Sequence, residues 1–307
     1  MTSINTNTSA MTALQSLSMI NSNLDETQNR ISTGYRVGAA SDNAAYWSIA
    51  TTMRSDNKAL GAVEDALGLG QAKVDTAYTG MKAAIDVVDE MKAKLVAARE
   101  PGVDRSKIQA EIAELQGQLT SISDSASFSG ENWLSFDGAL TDTKDIVASF
   151  NRSALGAVSV GTIEVVIGAT KLFGDDDPVG VGTDNGILNK TFATTNAGNF
   201  SVANLDVDAA GVVDQDISEM ITAVDAAIQS MTTAASNLGA AKSRMDIQSE
   251  FVSNLRDSIE KGVGTLVDAD MTEESTRLKA LQTQQQLGVQ ALSIANNSSQ
   301  SLLSLFR

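Results

Sequence analysis

The sequence predicts a mainly α protein: an elongated helical rod of long antiparallel and coiled-coil helices from both chain ends, with a small β-rich outer insertion. Apolar residues recur at alternating spacings of three and four along most of both halves, which is the seam spacing of coiled coils. Only two prolines occur in 307 residues, and the helical period is lost between residues 128 and 216. Two helical halves therefore flank one segment of a different kind.

The first predicted helix lies near the N-terminus, where Leu17, Ile20, Leu24 and Ile31 share one heptad seam. The last predicted helix carries two adjacent apolar stripes. Such a helix can pack against more than one neighbour, whereas a simple pair would use one seam. The main stripe contains Leu278, Leu281, Gln285, Gly288, Leu292, Ala295, Ser299, Leu302 and Phe306, and the second contains Leu287, Ala291, Ile294 and Leu305.

Both ends of the chain lack charge. Residues 1–24 and 280–306 contain no Asp, Glu, Lys or Arg, although the whole chain has a formal net charge of −16. Exposed helices of soluble proteins normally carry charged side chains, so these ends predict helices that other copies of the chain cover. Polar residues interrupt them too often for a membrane span, which needs about 20 mainly apolar residues. The N-terminus also lacks the features of a cleavable signal.

Three further helices are predicted between the two ends. One runs over residues 42–98 and stops before a Pro-Gly pair, which is a strong helix-ending signal. The next has Asp104 as its expected N-cap. A third keeps the heptad phase over residues 217–259. Asp270, with Glu273 three residues later, predicts the start of the last helix.

The segment between these helices is rich in Gly, Thr, Val and Asp. Residues 158–167 predict a strand, and residues 192–207 predict one or two more. Residues 175–180 predict a turn, which explains their three successive aspartates better than a cation site, because the spacing lacks the EF-hand pattern.

The composition excludes most catalytic chemistries. The absence of cysteine excludes disulfides and thiolate sites, and the absence of histidine removes the usual general base and the commonest zinc ligand. The acidic balance argues against nucleic acid as a partner, because phosphate binding needs clustered Lys and Arg. The sequence therefore predicts no enzyme activity, no cofactor and no metal.

A distinctive group of residues lies between positions 30 and 49, and the chain ends in Leu-Leu-Ser-Leu-Phe-Arg. The members of the group are Arg30, Ser32, Thr33, Gly34, Arg36, Asp42, Ala44, Ala45 and Ile49. This group resembles the N-terminal signature of bacterial flagellins, and the ending of the chain supports the resemblance, which does not extend to the insertion. The version of the signature found here is similar to that of flagellins from soil alphaproteobacteria, including the rhizobial type with rigid, complex filaments.

The resemblance implies a structural subunit that polymerises into the flagellar filament for swimming motility. It implies unfolded export by the flagellar type III apparatus and an extracellular location in that filament. The implied partners are other copies of the chain or other flagellins, an export chaperone at the C-terminal helix, and the filament cap and hook-filament junction proteins. Neither nucleic acid nor membrane insertion is expected. A hook-filament junction protein with flagellin-like ends is the alternative interpretation.

The resemblance also implies a division of the chain into layers. An inner helical domain would contain residues 1–40 and 266–307, a helical core domain residues 41–130 and 216–265, and the outer insertion residues 131–215. In flagellins the two terminal helices pair as the innermost layer. The residues expected to serve subunit assembly are Leu17, Ile20, Leu24, Ile31, Leu281, Leu292, Ala295, Leu302 and Phe306.

The signature region is also, by resemblance, the part of many flagellins that plant receptors recognise. Gly38, Ser41, Asn43, Tyr46 and Trp47 depart from the residues common in the family. We therefore expect the region to evade that recognition.

Overall fold

The computed structural model describes residues 7–136, 142–153, 156–174, 186–196 and 198–305, with side chains up to residue 297. These residues confirm the mainly α class with a small strand-containing insertion. The helices are α1 (Thr8–Thr33), α2 (Ala44–Ala98), α3 (Arg105–Ser125), α4 (Asp214–Val267) and α5 (Met271–Leu305). The strands are β1 (Ser127–Phe128), β2 (Glu131–Asn132), β3 (Thr143–Arg152), β4 (Val158–Val166), β5 (Phe192–Thr194) and β6 (Gly198–Phe200), with 3-10 turns at Gly168–Thr170 and Val202–Asn204.

The chain forms two compact units. The terminal unit contains Met1–Lys58 and Arg256–Arg307, and the central unit contains Ala59–Leu255. Helices α2 and α4 contribute residues to both. The finer division into five segments that the sequence suggests stays a prediction.

In the central unit, the predicted heptad positions form the helical core. Helices α2 and α4 run antiparallel there, because Gln71 donates a 3.0 Å hydrogen bond to Asp246 and Lys92 forms an ion pair with Asp225. Apolar side chains between the helices are removed from water, which is the main favourable contribution to folding. Fully buried members of this core include Leu67, Val74, Met81, Met91, Leu95, Ile112, Leu119, Val224, Met231 and Met245.

The predicted helix boundaries are close to the observed ones. The helix predicted over residues 42–98 is α2, and the heptads of residues 217–259 lie within α4. Asp104 occupies the N-cap position of α3, as expected, but its side chain makes no capping hydrogen bond, so only the expected capping contact is wrong. The Asp104 carboxylate instead lies 3.3 Å from the Lys107 ammonium group.

The β3–β4 hairpin packs on α2 through a glycine. Strands β3 and β4 pair antiparallel, with a bulge between Val147 and Ser149. Ile146 points inward over Gly70, where a Cβ atom would lie 2.6 Å from the Ile146 Cγ2 atom. Gln248 of α4 donates a 2.9 Å hydrogen bond to the carbonyl of Ala148. The absence of a side chain at Gly70 therefore allows the hairpin to approach the helix.

A tight turn joins β1 and β2. Its two central residues, Ser129 and Gly130, have φ values of 53° and 81°. Two successive positive φ values define the type I′ turn of two-residue hairpins, which favours Asn-Gly. Serine is therefore at a position that asparagine occupies more easily.

Asp216, at the start of α4, anchors the loop that follows β5. Its carboxylate is buried and accepts hydrogen bonds from the backbone N–H groups of Val213 and Asn196, each at 3.0 Å. These bonds stabilise the charged form and hold the pKa of Asp216 below its usual value, chiefly through the Val213 bond, although burial opposes the shift.

The predicted strands of the insertion are confirmed, since β4 covers most of residues 158–167 and β5 and β6 lie within residues 192–207. The sequence did not predict β3. The turn predicted at residues 175–180 lies outside the described residues.

Candidate functional site

The two charge-free ends of the chain pair with each other. Helices α1 and α5 run antiparallel, which follows from three contacts spaced along them. Arg30 forms an ion pair with Glu274 at 3.1 Å, and Gln285 donates a 2.7 Å hydrogen bond to Asn21. Nearer the N-terminus, the Asn7 amide donates a 3.0 Å hydrogen bond to the carbonyl of Ala295.

The predicted seams lie between these two helices. Leu24 and Leu281 are buried, whereas Leu17, Ile20, Ile31, Leu292 and Ala295 are half-buried. Gly288 brings the helices close together, because a Cβ atom there would lie 3.2 Å from the Leu17 Cδ1 atom. The Leu302 side chain and Phe306 lie outside the described part of the chain. The structure thus brings seven of the nine predicted assembly residues into one intramolecular seam, and a role for them in contacts between copies stays a prediction.

Both helices of the pair expose large apolar side chains. On α1, Met11, Leu14 and Met19 are each about 60% exposed. On α5, Leu287 and Ile294 are 58% and 70% exposed, and both belong to the second predicted stripe. Five large apolar side chains exposed on one helix pair favour contacts with other molecules. In a single chain these side chains lie in water.

An ion pair between Arg30 and Glu274 lies at one end of the seam, where α1 ends and α5 begins. The Glu274 side chain is 7% exposed and the Arg30 side chain 24% exposed, and Glu26 forms a second ion pair with Arg30. Burial by itself lowers the pKa of Arg30, but the hydrogen bond with Glu274 and the charges of both glutamates raise it, so the net shift is upward. The second Glu274 oxygen, Oε2, is buried and has no hydrogen-bond partner among the described residues.

The signature residues build the turn that links α1 to α2. Gly34 ends α1 with a φ of 75°, a left-handed conformation that glycine adopts without strain. Arg36 donates a 3.0 Å hydrogen bond to the carbonyl of Leu266. The Asp42 carboxylate accepts hydrogen bonds from the backbone N–H groups of Ala39 and Gly38. Both bonds lower the pKa of Asp42, the Ala39 bond more strongly than the Gly38 bond. Local backbone requirements therefore account for Gly34 and Asp42, whereas Arg36 is explained by its long-range hydrogen bond to α4.

The remaining signature residues flank this turn. Ala44 begins α2, and the N–H group of Ala45 donates a 3.1 Å hydrogen bond to Asn43, so an asparagine caps this helix. Thr33 donates to the carbonyl of Asn29 within α1. Ile49 and Ser32 are exposed, so packing within the chain does not explain them.

The turn is held against the junction between α4 and α5. Val37 is buried with Ala50, Val263 and Val267 in a small apolar cluster. Asp270 caps α5, because its carboxylate accepts the N–H groups of the first turn, and these bonds lower its pKa. The predicted start of the last helix is therefore confirmed.

Two features of this unit were not found from the sequence. One is the ion pair between Arg30 and Glu274, and the other is the stacking of Arg54 on Tyr35, whose ring centroid lies 4.8 Å from the guanidinium carbon. In both pairs the partners come from different elements. The one sequence signal for the first pair was Glu274 itself, a charged residue at a seam position of a helix whose other seam residues are uncharged.

No helix in the described residues is long and apolar enough to cross a membrane. Within the same described ranges, no group of three or more acidic side chains is placed to hold a metal ion.

Comparison with known proteins decides the family. A family model described as the bacterial flagellin N-terminal helical region matches residues 4–139, and one described as the C-terminal helical region matches residues 221–306. Flagellin C of Rhizobium meliloti (strain 1021) is 55% identical over 326 aligned positions that cover all of both chains. The chain belongs to the bacterial flagellin family.

Other flagellins resemble this chain over its full length but differ from it in length. A flagellin of Brucella melitensis biotype 1 is 49% identical over 308 positions, and Flagellin A of Rhizobium meliloti is 47% identical over 402 positions, each alignment covering both chains completely. The second alignment greatly exceeds the 307 residues of this chain. Residues 140–220, which the two family models leave unmatched, contain most of the insertion.

Proposed function

We propose that this chain is the structural subunit that polymerises into the bacterial flagellar filament and so serves swimming motility. Membership of the flagellin family supports this function, and the relatives compared above are named flagellins, which does not favour a hook-filament junction protein. The observation that carries the proposal is the apolar outer surface of the paired, charge-free α1 and α5. Copies of the chain would cover that surface in the filament.

The predicted assembly residues act together with exposed residues outside that set. The predicted residues hold α1 against α5 within one subunit, and exposed residues such as Leu14 on α1 and Ile294 on α5 would contact neighbouring subunits. The residues proposed for assembly remain Leu17, Ile20, Leu24, Ile31, Leu281, Leu292, Ala295, Leu302 and Phe306.

Export and location follow from the same function. We propose that the chain leaves the cell unfolded through the flagellar type III apparatus, with a chaperone on its C-terminal helix, and assembles outside beneath a cap, on junction proteins at the hook. The inner domain would be residues 1–40 and 266–307, with residues 131–215 outermost. The chain would act as a structural protein without catalysis.

The uncharged polar residues of the terminal helices suit the wall of the export channel. Gln282, Gln284 and Gln290 are exposed on α5, and fixed charges at such positions would attract or repel segments of a passing chain. Replacing Gln282 with Asp should therefore slow filament growth without preventing assembly. Unchanged growth would contradict this channel role.

The signature region is proposed to evade plant recognition. A synthetic peptide of residues 28–50 should trigger little response in plant tissue. A second peptide, in which Gly38, Ser41, Asn43, Tyr46 and Trp47 are replaced with the commoner family residues, should restore the response. A strong response to the unchanged peptide would contradict the proposal.

Polymerisation from filament seeds tests the main proposal. Replacing Leu14 and Ile294 with Gln should raise the critical concentration strongly, because each change removes apolar surface that neighbours would bury. The matched control replaces Ser18 and Ser293 with Gln, which are exposed polar positions on the same two helices. Normal polymerisation of the Leu14 and Ile294 variant, or of a chain without residues 280–307, would refute the assembly role.

A further inference from the structure

The negative charge of the chain is concentrated in one of its two units. The central unit holds 28 Asp and Glu residues against 13 Lys and Arg, a net charge of −15. The terminal unit holds ten Asp and Glu residues against nine Lys and Arg, a net charge of −1. Packing many copies together would bring the acidic units close to one another, and like charges repel. Positive groups that face those acids would therefore stabilise the polymer.

A cleft within the terminal unit collects three cations. It has a volume of about 510 Å³ and is lined by Arg54 and Lys58 of α2 and by Arg256 of α4. Arg54 and Lys58 lie one helical turn apart and are both exposed. Tyr35 and Asn57 also line it.

The geometry of the cleft holds two of these cations in place. The Arg54 guanidinium stacks on the Tyr35 ring, at 4.8 Å from the centroid, and the Arg256 Nε atom donates a 3.1 Å hydrogen bond to Asn57. An arginine fixed in this way loses less conformational freedom when it binds a carboxylate, and its planar group can donate two parallel hydrogen bonds.

In the part of the chain that the structure describes, Arg54 and Lys58 form no ion pair with the acids of the cleft. Glu260 and Asp268 line the same cleft, yet among the described residues neither forms an ion pair with Arg54 or Lys58. In the central unit some lysines, Lys73, Lys92 and Lys94, are paired with acids of their own chain. Arg54 and Lys58 are therefore available to bind carboxylates from outside the chain.

We propose that this cleft binds carboxylates on the acidic central unit of a second copy of the chain. The proposal rests on the function proposed above, because it needs copies packed in a filament. The partner is a second copy because every neighbour in a homopolymer carries the same central unit, whose net charge of −15 complements the cations of the cleft. Such pairs fix the register between copies and suppress wrong contacts more than they add affinity.

Zero-length crosslinking of filaments tests the contact directly. A carbodiimide joins a lysine amine to a carboxylate only when the two already touch. In filaments mixed from ¹⁵N-labelled and unlabelled full-length chains, mass spectrometry should find Lys58 joined to Asp or Glu residues between 59 and 255 of the other isotope. Crosslinks from other lysines without any intermolecular product from Lys58 would overturn the proposal.

Salt dependence provides a second test. A variant with Arg54→Gln and Lys58→Gln should have a critical concentration about tenfold higher than the wild type in 50 mM NaCl, since two surface ion pairs contribute roughly this much. The ratio should approach one in 1 M NaCl, where the Debye length is about 3 Å. A ratio that stays the same at both salt concentrations would overturn the proposal.

A control variant separates this effect from a change in total charge. Lys82 and Arg244 are exposed residues of the central unit, and replacing both with Gln changes the net charge equally. This variant should polymerise no worse than the wild type at low salt. Because the wild type must form filaments in every experiment, failure of wild-type polymerisation refutes the proposed function, whereas equal behaviour of the two variants refutes only the cleft.

Discussion

Replacing Arg30 with Gln should weaken the filament much more than replacing its partner Glu274 with Gln. The two residues form one ion pair, but their surroundings differ. The Glu274 side chain is 7% exposed, and Arg30 is its hydrogen-bond donor on Oε1 at 3.1 Å. Arg30 is 24% exposed and keeps a second partner in Glu26. Each change therefore leaves a different group without its partner.

The magnitudes follow from that difference. Losing Arg30 leaves a buried carboxylate, and breaking a buried ion pair costs about 3–5 kcal/mol. Water near the partly exposed Arg30 reduces this to about 2 kcal/mol. Losing the charge of Glu274 leaves Arg30 with Glu26 and solvent, so the cost is about 1 kcal/mol. In the double variant neither charge remains buried without a partner, and the cost should be less than the sum of the two.

Seeded polymerisation measures these costs. Because each 1.4 kcal/mol changes an equilibrium tenfold, the critical concentration should rise about thirtyfold for Arg30→Gln and about fivefold for Glu274→Gln. Thermal disassembly of the filaments, followed by circular dichroism, should rank the variants in the same order. Equal effects of the two single variants, or strict additivity in the double variant, would show that the pair is not buried in the filament.

Three further predictions concern the central unit, each measured as thermal unfolding of the full-length subunit. Gly70→Ala should destabilise it by about 1 kcal/mol, because overpacking against Ile146 exceeds the gain in helix propensity, whereas Gly68→Ala, with no neighbour within 4 Å, should stabilise it by up to about 1 kcal/mol. Ser129→Asn should stabilise it by about 0.5 kcal/mol, since Asn suits a positive φ better. Asp216 has a lowered pKa, so its stabilisation is present above the unfolded-state pKa and is lost as the pH falls through the folded-state pKa; Asp216→Asn should lower the midpoint at pH 7 and flatten its decline below about pH 4.

The long helices could be predicted because their signals are local. The seam spacing and the Pro-Gly pair define α2 to within two residues at either end. Asp270 marks the start of α5 because a cap acts on the N–H groups of the next turn. Asp104 shows the limit of this reasoning, since an acid at the N-cap position can instead form an ion pair with Lys107.

Strand β3 could not be predicted because its signals are not local. Only Ile146 and Ala148 of its ten residues are buried, and the bulge after Val147 breaks the alternation that identifies a strand. Its position depends on the space above Gly70, which lies 76 residues earlier in the chain. That requirement is invisible until the helix and the hairpin are in contact.

The candidate site shows the same division. Periodicity predicted which residues of α1 and α5 share a seam, and the charge-free ends predicted a surface that needs covering. The sequence pattern could not predict the ion pair between Arg30 and Glu274, because these residues are 244 positions apart and their pairing depends on the antiparallel register of α1 and α5. It also could not find the cationic cleft, which combines residues of α2 and α4 with Tyr35.

We expect the pairing of α1 and α5 to be too weak to order both helices without neighbouring subunits. Among their described residues, only Leu24, Thr27, Glu274 and Leu281 are buried. Burying a leucine contributes about 1.5–3 kcal/mol, whereas fixing each backbone residue costs about 1–2 kcal/mol over helices of 26 and 35 residues, and helices that lack packing are marginal in water. The exposed apolar faces must therefore supply the missing stabilisation when other copies cover them. We expect amide hydrogens of both helices to exchange rapidly in the unassembled subunit and slowly in the filament; equal protection in the two states would mean that the intramolecular seam alone is sufficient.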